Sequence, residues 1–287
     1  MLKVVEKKKI WFGISAIIIA IGLITIAVKG LNFGIDFQGG TSLVLEFSEE
    51  YDKEKVDSIV KKYASDAVTN TVEDSKYQIK SKDFNSEQVS ELIEELKKEY
   101  KMPDEAIISQ DEIGASIGKE LRVNSIKALS LAFIAMLIYI AIRFELKFGV
   151  IALIALAHDL LVTLSVFAVF GIAINTPFIA AILTIIGYSI NATIVIFDRI
   201  RENLKLSGRT SPAEVADNSI TQTMGRSINT TLTTLFTIVA IYIFVPTVRE
   251  FSFPIIIGIV SGLFSSVCIA PSLWVMVVER DKKKNKK

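Results

Sequence analysis

The sequence predicts a multi-span α-helical membrane protein with six transmembrane helices and one small extracytoplasmic α/β domain. Three observations carry that prediction. Hydrophobic residues make up 51% of the chain and the mean hydropathy is +0.47, too apolar for an ordinary soluble domain. Six apolar stretches are each long enough to cross the hydrocarbon core, which takes about 20 residues. The charge is also segregated. The net charge is only +1, yet residues 31–122 hold 12 Lys+Arg against 21 Asp+Glu and the remainder is basic. An acidic lobe between basic flanks describes a sided membrane protein and argues against a nucleic-acid partner.

Residues 1–29 comprise a short N-terminal segment and the first span, 10–29. The span follows Lys7-Lys8-Lys9 and is longer than the apolar core of a signal peptide, so it reads as a retained anchor. Residues 30–122 form the outer domain. Residues 42–47 are β-like, and 52–63 put Val56, Ile59, Val60 and Tyr63 at helical spacing. Residues 69–79 look extended. Ser86 suits the N-cap of a helix over 87–101, with Val89, Leu92, Ile93 and Leu96 on one stripe, and 106–109 is a short strand. The order β-α-β-α-β predicts a ferredoxin-like sandwich or a close relative. With no cysteine, no histidine and no Ser-His-Asp set, this domain is expected neither to catalyse nor to bind a transition metal.

Residues 123–278 hold the remaining spans, at 123–142, 148–171, 177–197, 228–248 and 252–278. Gly171 and the Asn175-Thr176-Pro177 turn separate the third from the fourth. A loop over 198–227 opens its second half with Ser211-Pro212-Ala213-Glu214, a capping box with proline at the first helical position, and predicts a short surface helix. Residues 279–287 are a basic tail. Lys and Arg concentrate in 1–9, 143–147, 198–227 and 279–287, so both termini are expected on the cytoplasmic side of the cytoplasmic membrane. The one cysteine, Cys268, lies in an apolar run, which rules out an intrachain disulfide.

Polar residues inside the spans are the functional candidates, because each is costly there. Asp159 sits near the middle of span three with Thr163 one turn on. It reads equally as a protonatable relay group or as a carboxylate hydrogen-bonded to neighbouring spans. His158, the chain's one histidine, reads as a structural hydrogen-bonder. In span four, Thr184, Tyr188, Asn191, Val195 and Asp198 share a helical face, with Ala180, Ala181 and Gly187 beside it and Thr193 close by. In span five Arg226, Thr230, Thr233 and Thr237 make a similar stripe. Span six carries Gly258 and Gly262 in a GxxxG pattern, then Ser265 and Ser266. This polar seam should face other helices, where it either conducts a cation or binds a partner subunit. No phosphate-binding loop or metal cluster is present, so no cofactor, metal or catalytic residue is expected, and the chain reads as a non-enzyme.

These residues carry a resemblance. GIDFQGGT (34–41), IGASIGKEL (113–121), RFELKFG (143–149), AHD (157–159), GYSIN with IVIFDRIREN (187–203) and GRSINTTLTT (225–234) resemble the SecF family of the bacterial Sec protein-export machinery along nearly the whole chain. The resemblance implies pairing with SecD, association with the SecYEG channel and indirectly the SecA motor, and handling of unfolded secretory polypeptides within membrane lipid. It also implies use of the proton or sodium gradient and movement of outer domains. Two residues depart from the family pattern. Ala115 stands where proline is common. Ala192 stands where many members have an aspartate held to work with the arginine matching Arg226. Three readings follow. SecD supplies the acid, with Asn191, Thr193 and the threonine stripe giving neutral oxygens; Asp159 takes the role; or the chain is uncoupled. The junction residues Gly34, Asp36, Gly39 and Gly40 either link the spans to the outer domain as a hinge or simply make a tight turn. The rival functions are a lipid or small-hydrophobe exporter of the same superfamily and a non-transducing scaffold of the translocase.

Overall fold

The computed structural model describes residues 2–284 except Asp74, Asp104, Phe144, Ser207 and Arg209. A 3₁₀ turn, Val5–Lys7, leads into α1, Lys8–Lys29. Only Ser15 and Gly22 of α1 are buried, so this helix flanks the bundle. A Cβ on Gly22 would overlap Ser165 of the third span, and the glycine sets how closely the two helices approach.

The outer domain follows: α2 (Ile35–Gln38), β1 (Gly40–Glu46), α3 (Lys53–Tyr63), β2 (Val68–Glu73), β3 (Lys76–Ser81), α4 (Ser86–Glu99) and β4 (Ile107–Ile113). The four strands form one antiparallel sheet in the order β2-β3-β1-β4. This is the ferredoxin-like β-α-β-β-α-β arrangement. The expected single strand over 69–79 is in fact a hairpin. Eleven residues exceed an ordinary strand, and the run divides into β2, ending at Glu73, and β3, beginning at Lys76. Alternation along β1 and β3 points Leu43, Leu45, Tyr77 and Ile79 inward. There they meet Val56, Ile59 and Val60 of α3 and Val89, Leu92 and Leu96 of α4. Asp52 caps α3 by accepting from the amides of Glu54 and Lys55. The N-cap of α4 is Asn85, one residue before the expected Ser86, because Gln88 completes a reciprocal capping box with it.

Helix α5, Ala115–Arg143, starts beside the outer domain and runs on as the second span, so the expected boundary at 122 falls within a helix. The remaining helices are α6 (Leu146–Phe170), α7 (Thr176–Leu206), α8 (Pro212–Phe244), α9 (Arg249–Phe264) and α10 (Ala270–Lys284), the last two joined by a π-turn, Ser265–Ile269. The expected loop 198–227 shrinks to a few residues around Gly208. The chain after 198 is rich in good helix formers, so α7 continues past the bilayer, and the short helix expected at Pro212 is the first part of α8. The fifth span stops at Phe244 because Pro246 cannot continue it.

The centre of the bundle is α6, α7 and the α9–α10 unit. Half of the apolar stretch of α6 is buried, against 6% for α5 and 11% for α8. On α9, a Cβ on Gly258 would overlap Ile185 of α7, and Gly262 lies against Ser189. The GxxxG pattern is therefore a packing face. The outer domain, the α6–α7 turn and the α8–α9 turn lie at one end. At the other end Asp217 of α8 accepts from the amides of Val4 and Val5, both at 3.0 Å, and pins the N-terminal turn.

Candidate functional site

The polar residues of the spans form two separate groups. The first surrounds Asp159 on α6, whose side chain is completely buried. Ser261 of α9 donates to its Oδ1 at 2.8 Å. Ser189 of α7 and Ser265 of the π-turn donate to its Oδ2 at 2.5 and 2.8 Å. His158 Nδ1 lies 3.0 Å from Oδ1, and its Nε2 lies 2.8 Å from Ser15 Oγ on α1. The imidazole also stacks on Phe264, with ring centroids 6.1 Å apart. A carboxylate has about four acceptor positions, and here all four are met. Thr163 hydrogen-bonds back to the Asp159 carbonyl at 2.9 Å and does not reach the carboxylate. The π-turn is wider than an α-turn. It lets Ser265 face Asp159 while the next residue, Ser266, bonds Thr193 of α7 at 2.8 Å. Thr193 thus belongs to this interior group and leaves the strip formed by its neighbours.

The second group lies on the flank of α7 and α8. Tyr188, Asn191, Ala192 and Val195 of α7 and Arg226, Ser227 and Thr230 of α8 line a crevice of about 50 Å³, room for a water or two. Asn191, Arg226, Thr230 and Thr233 are exposed on this flank, and the buried Tyr188 hydroxyl has no partner. Thr230 donates to the Arg226 and Ser227 carbonyls, and Thr233 to those of Asn229 and Thr230. Their hydroxyl protons are committed to the helix, so they offer outward only oxygen lone pairs. The methyl of Ala192 lines the same crevice as Arg226. Asp198 is half-buried further along α7, and the ion pairs among the described residues do not join it to Arg226. The sequence read both groups as one seam on spans three to five. The structure joins Tyr188, Asn191, Arg226 and Thr230, and places Asp159 and Thr193 on the opposite side of α7.

The junction motif is packed tightly against the outer end of the bundle. Asp36 Oδ2 accepts from the Thr176 amide at 2.8 Å, and Phe33 and Ile174 form a parallel bridge. Gly34 has an ordinary φ of −77°. It is glycine because the buried Asn175 carboxamide occupies the place of a Cβ. Gly39 and Gly40 have φ of 87° and 142°, which only glycine adopts readily. Asn175 also donates to Glu250 at 3.1 Å, and Glu250 pairs with Lys80 of β3 at 2.5 Å, clamping the sheet to the start of α9. These observations support the tight-turn reading of the glycines.

Sequence reasoning missed the serine donors to Asp159 and the bond between His158 and Asp159. Adjacent helical residues point about 100° apart, so a side chain pairing with its immediate neighbour carries no periodic signal. Ser265 and Ser266 after the GxxxG pattern were the one legible hint. Asp217 was missed as well. Among the described residues no three His, Cys, Asp or Glu side chains converge on a metal position.

Comparison with known proteins gives a consistent result. A family model described as protein export membrane protein SecD/SecF, C-terminal, matches residues 92–280, and one described as the SecD/SecF GG motif matches 24–50. A protein translocase subunit SecF of Sebaldella termitidis is 40% identical, the alignment covering 98% of this chain and 93% of that protein. A protein translocase subunit SecDF of Bacillus subtilis is 33% identical over 98% of this chain but only 38% of its own length. The crystal structure of SecDF from Thermus thermophilus, a translocon-associated membrane protein, superimposes with a TM-score of 0.82 at 31% identity, covering 98% of this chain and 39% of that one. The chain therefore spans about two fifths of each SecDF polypeptide.

Proposed function

The chain belongs to the SecD/SecF family of protein-export membrane proteins and is a SecF-like protein translocase subunit, and from that premise we propose that the α7–α8 flank is where it meets SecD. One observation carries the proposal: Asn191, Thr230 and Thr233 lie uncovered within the spans, with the exposed Arg226 at their inner end. An arginine and a row of amide and hydroxyl groups facing acyl chains are costly to leave without partners, and a complementary polar helix removes that cost. The SecDF relatives support the reading, since in them the matching part is joined in one polypeptide to a longer part outside the match.

In this reading both termini are cytoplasmic and the acidic sandwich lies outside. The SecD–SecF pair stands beside SecYEG, downstream of SecA, and draws unfolded secretory polypeptides outward. Arg226 supplies the fixed positive charge at the interface. With Ala192 in the crevice, the titrating acid facing Arg226 comes from SecD. Asn191 and the threonine oxygens hold the water between them. One elementary charge crossing 100 mV releases about 2.3 kcal/mol, enough to exchange one packing of the interface for another. The packed junction transmits that exchange along α1 and α7 to the outer domain.

The test is cysteine cross-linking in native membranes. In a Cys268→Ser background, Thr233→Cys is expected to form a disulfide with a cysteine scanned along the SecD spans. A cysteine replacing Ile138, on the exposed flank of α5, should not. Equal cross-linking at both positions would overturn the placement.

A further inference from the structure

The Asp159 group is not accounted for by a partner interface, because it is closed within this chain. A carboxylate at bilayer depth is expensive unless another charge balances it. The elements packed against it supply mainly hydroxyl groups. Helix α1 presents Ser15, α7 presents Ser189, and α9 with the π-turn presents Ser261, Phe264 and Ser265. None of these titrates near neutral pH. Cys268 of the π-turn packs in the apolar cluster with Trp274 and Val275. Tyr188 and Arg226 open into the crevice on the far side of α7. His158, 8% exposed, is the one titratable group that touches Asp159 among the described residues.

We propose that His158 and Asp159 form an intramembrane site for a single exchangeable proton, carried wholly by this chain and separate from the α7–α8 face. With the proton bound, the imidazolium donates from Nδ1 to Asp159 and from Nε2 to Ser15 Oγ, and the pair is neutral. With the proton gone, Nδ1–H still donates to the carboxylate, and Nε2 becomes an acceptor. The bond to Ser15 must then reverse, the serine hydroxyl turning to donate. The three serine donors to the carboxylate are the same in both states, so the change falls on the imidazole and Ser15. The first element to register the proton is therefore α1, and α1 leads directly into the Gly34–Gly40 junction and the outer domain. An apolar groove of about 330 Å³, lined by Ile14, Ile18, Val162, Val260 and Phe264, lies over His158 and Ser15.

The single histidine makes this directly measurable. The full-length chain labelled with ¹⁵N-histidine, in lipid nanodiscs, gives one pair of ring-nitrogen signals by magnetic resonance. The expected result is one protonation step of the ring within the range of pH over which the chain stays folded. Asp159→Asn should displace that step more than tenfold in proton concentration, and Ser15→Ala should alter the Nε2 signal. Should Asp159→Asn fail to fold, Ser261→Ala removes one donor from the carboxylate and should still move the step. A ring that keeps one charge state across that range, a step unmoved by these substitutions, or signals that follow sodium but not pH would each overturn the proposal. It does not rest on the SecD interface, and the cross-linking result above leaves it untouched.

Discussion

The two polar centres of the bundle differ in one respect that decides their roles. Around Asp159 every acceptor position is filled from within the chain, by residues of α6, α7, α9 and the π-turn. On the α7–α8 flank the hydroxyl protons are satisfied by their own helix, while Arg226, Asn191 and the Tyr188 hydroxyl are left without such closure. Both lie at membrane depth, where an unmet polar group is costly. The closed centre is therefore part of the fold, and the open one implies a second protein. Substitutions in the first should lower stability, whatever they do to its proton, while substitutions in the second should leave the fold intact and be felt as lost function.

The sharpest way to break that comparison is Asp159→Ala. It strands three serines and His158 around a void and is expected to cost about 3–5 kcal/mol, read as a lower thermal unfolding midpoint of the purified chain. A loss under 1 kcal/mol would show that the closed centre does not hold the helices together. Next is Gly258→Leu, which forces a side chain into Ile185 and should cost about 1–3 kcal/mol in the same assay, confirming that α9 packs on α7 through its glycine face. Arg226→Ala sits at the other pole. Because the residue is exposed, stability should change by no more than about 0.5 kcal/mol, while export of a secretory protein from membrane vesicles slows at least tenfold. Instability without an export defect would reverse the assignment of the two centres.

The smallest effect lies outside the membrane and provides a control. Burial raises the Asp57 carboxyl, but hydrogen bonds from Thr69, Tyr77 and Lys53 outweigh it and hold the group below its usual value. A lowered carboxylate adds stability that is complete above the unfolded value, about pH 4, and is lost as pH falls through the folded one. Asp57→Asn should therefore flatten the acid limb of outer-domain unfolding, followed by circular dichroism, and leave the neutral limb nearly parallel to wild type. The same substitution leaves both membrane centres intact.

Much of this architecture was legible in the residues. Composition and six apolar runs gave the spans, and segregated charge separated the outer domain from the rest. The stripes of α3 and α4 gave the two helices of the sandwich. The errors were local. The break between β2 and β3, the cap at Asn85 in place of Ser86, and the helical ends of α7 and α8 in place of a loop differ from the sequence reading. Each of these signals spans a few residues, so a stricter reading of turns and caps would have found it.

The polar candidates were limited in a different way. Helical periodicity identifies which residues share a face of one helix, and it correctly grouped Tyr188 with Asn191 and Arg226 with Thr230. It carries no information on how far each helix is rotated toward its neighbours. That rotation is set by close contacts such as Gly258 on Ile185 and Gly22 on Ser165, between residues far apart in the chain. The sequence by itself determined what crosses the membrane and what stays outside, because transfer free energy depends on composition over a window of residues. Only the tertiary structure decided that Asp159 closes inward while Arg226 faces out, because that depends on side-chain geometry among helices distant in sequence.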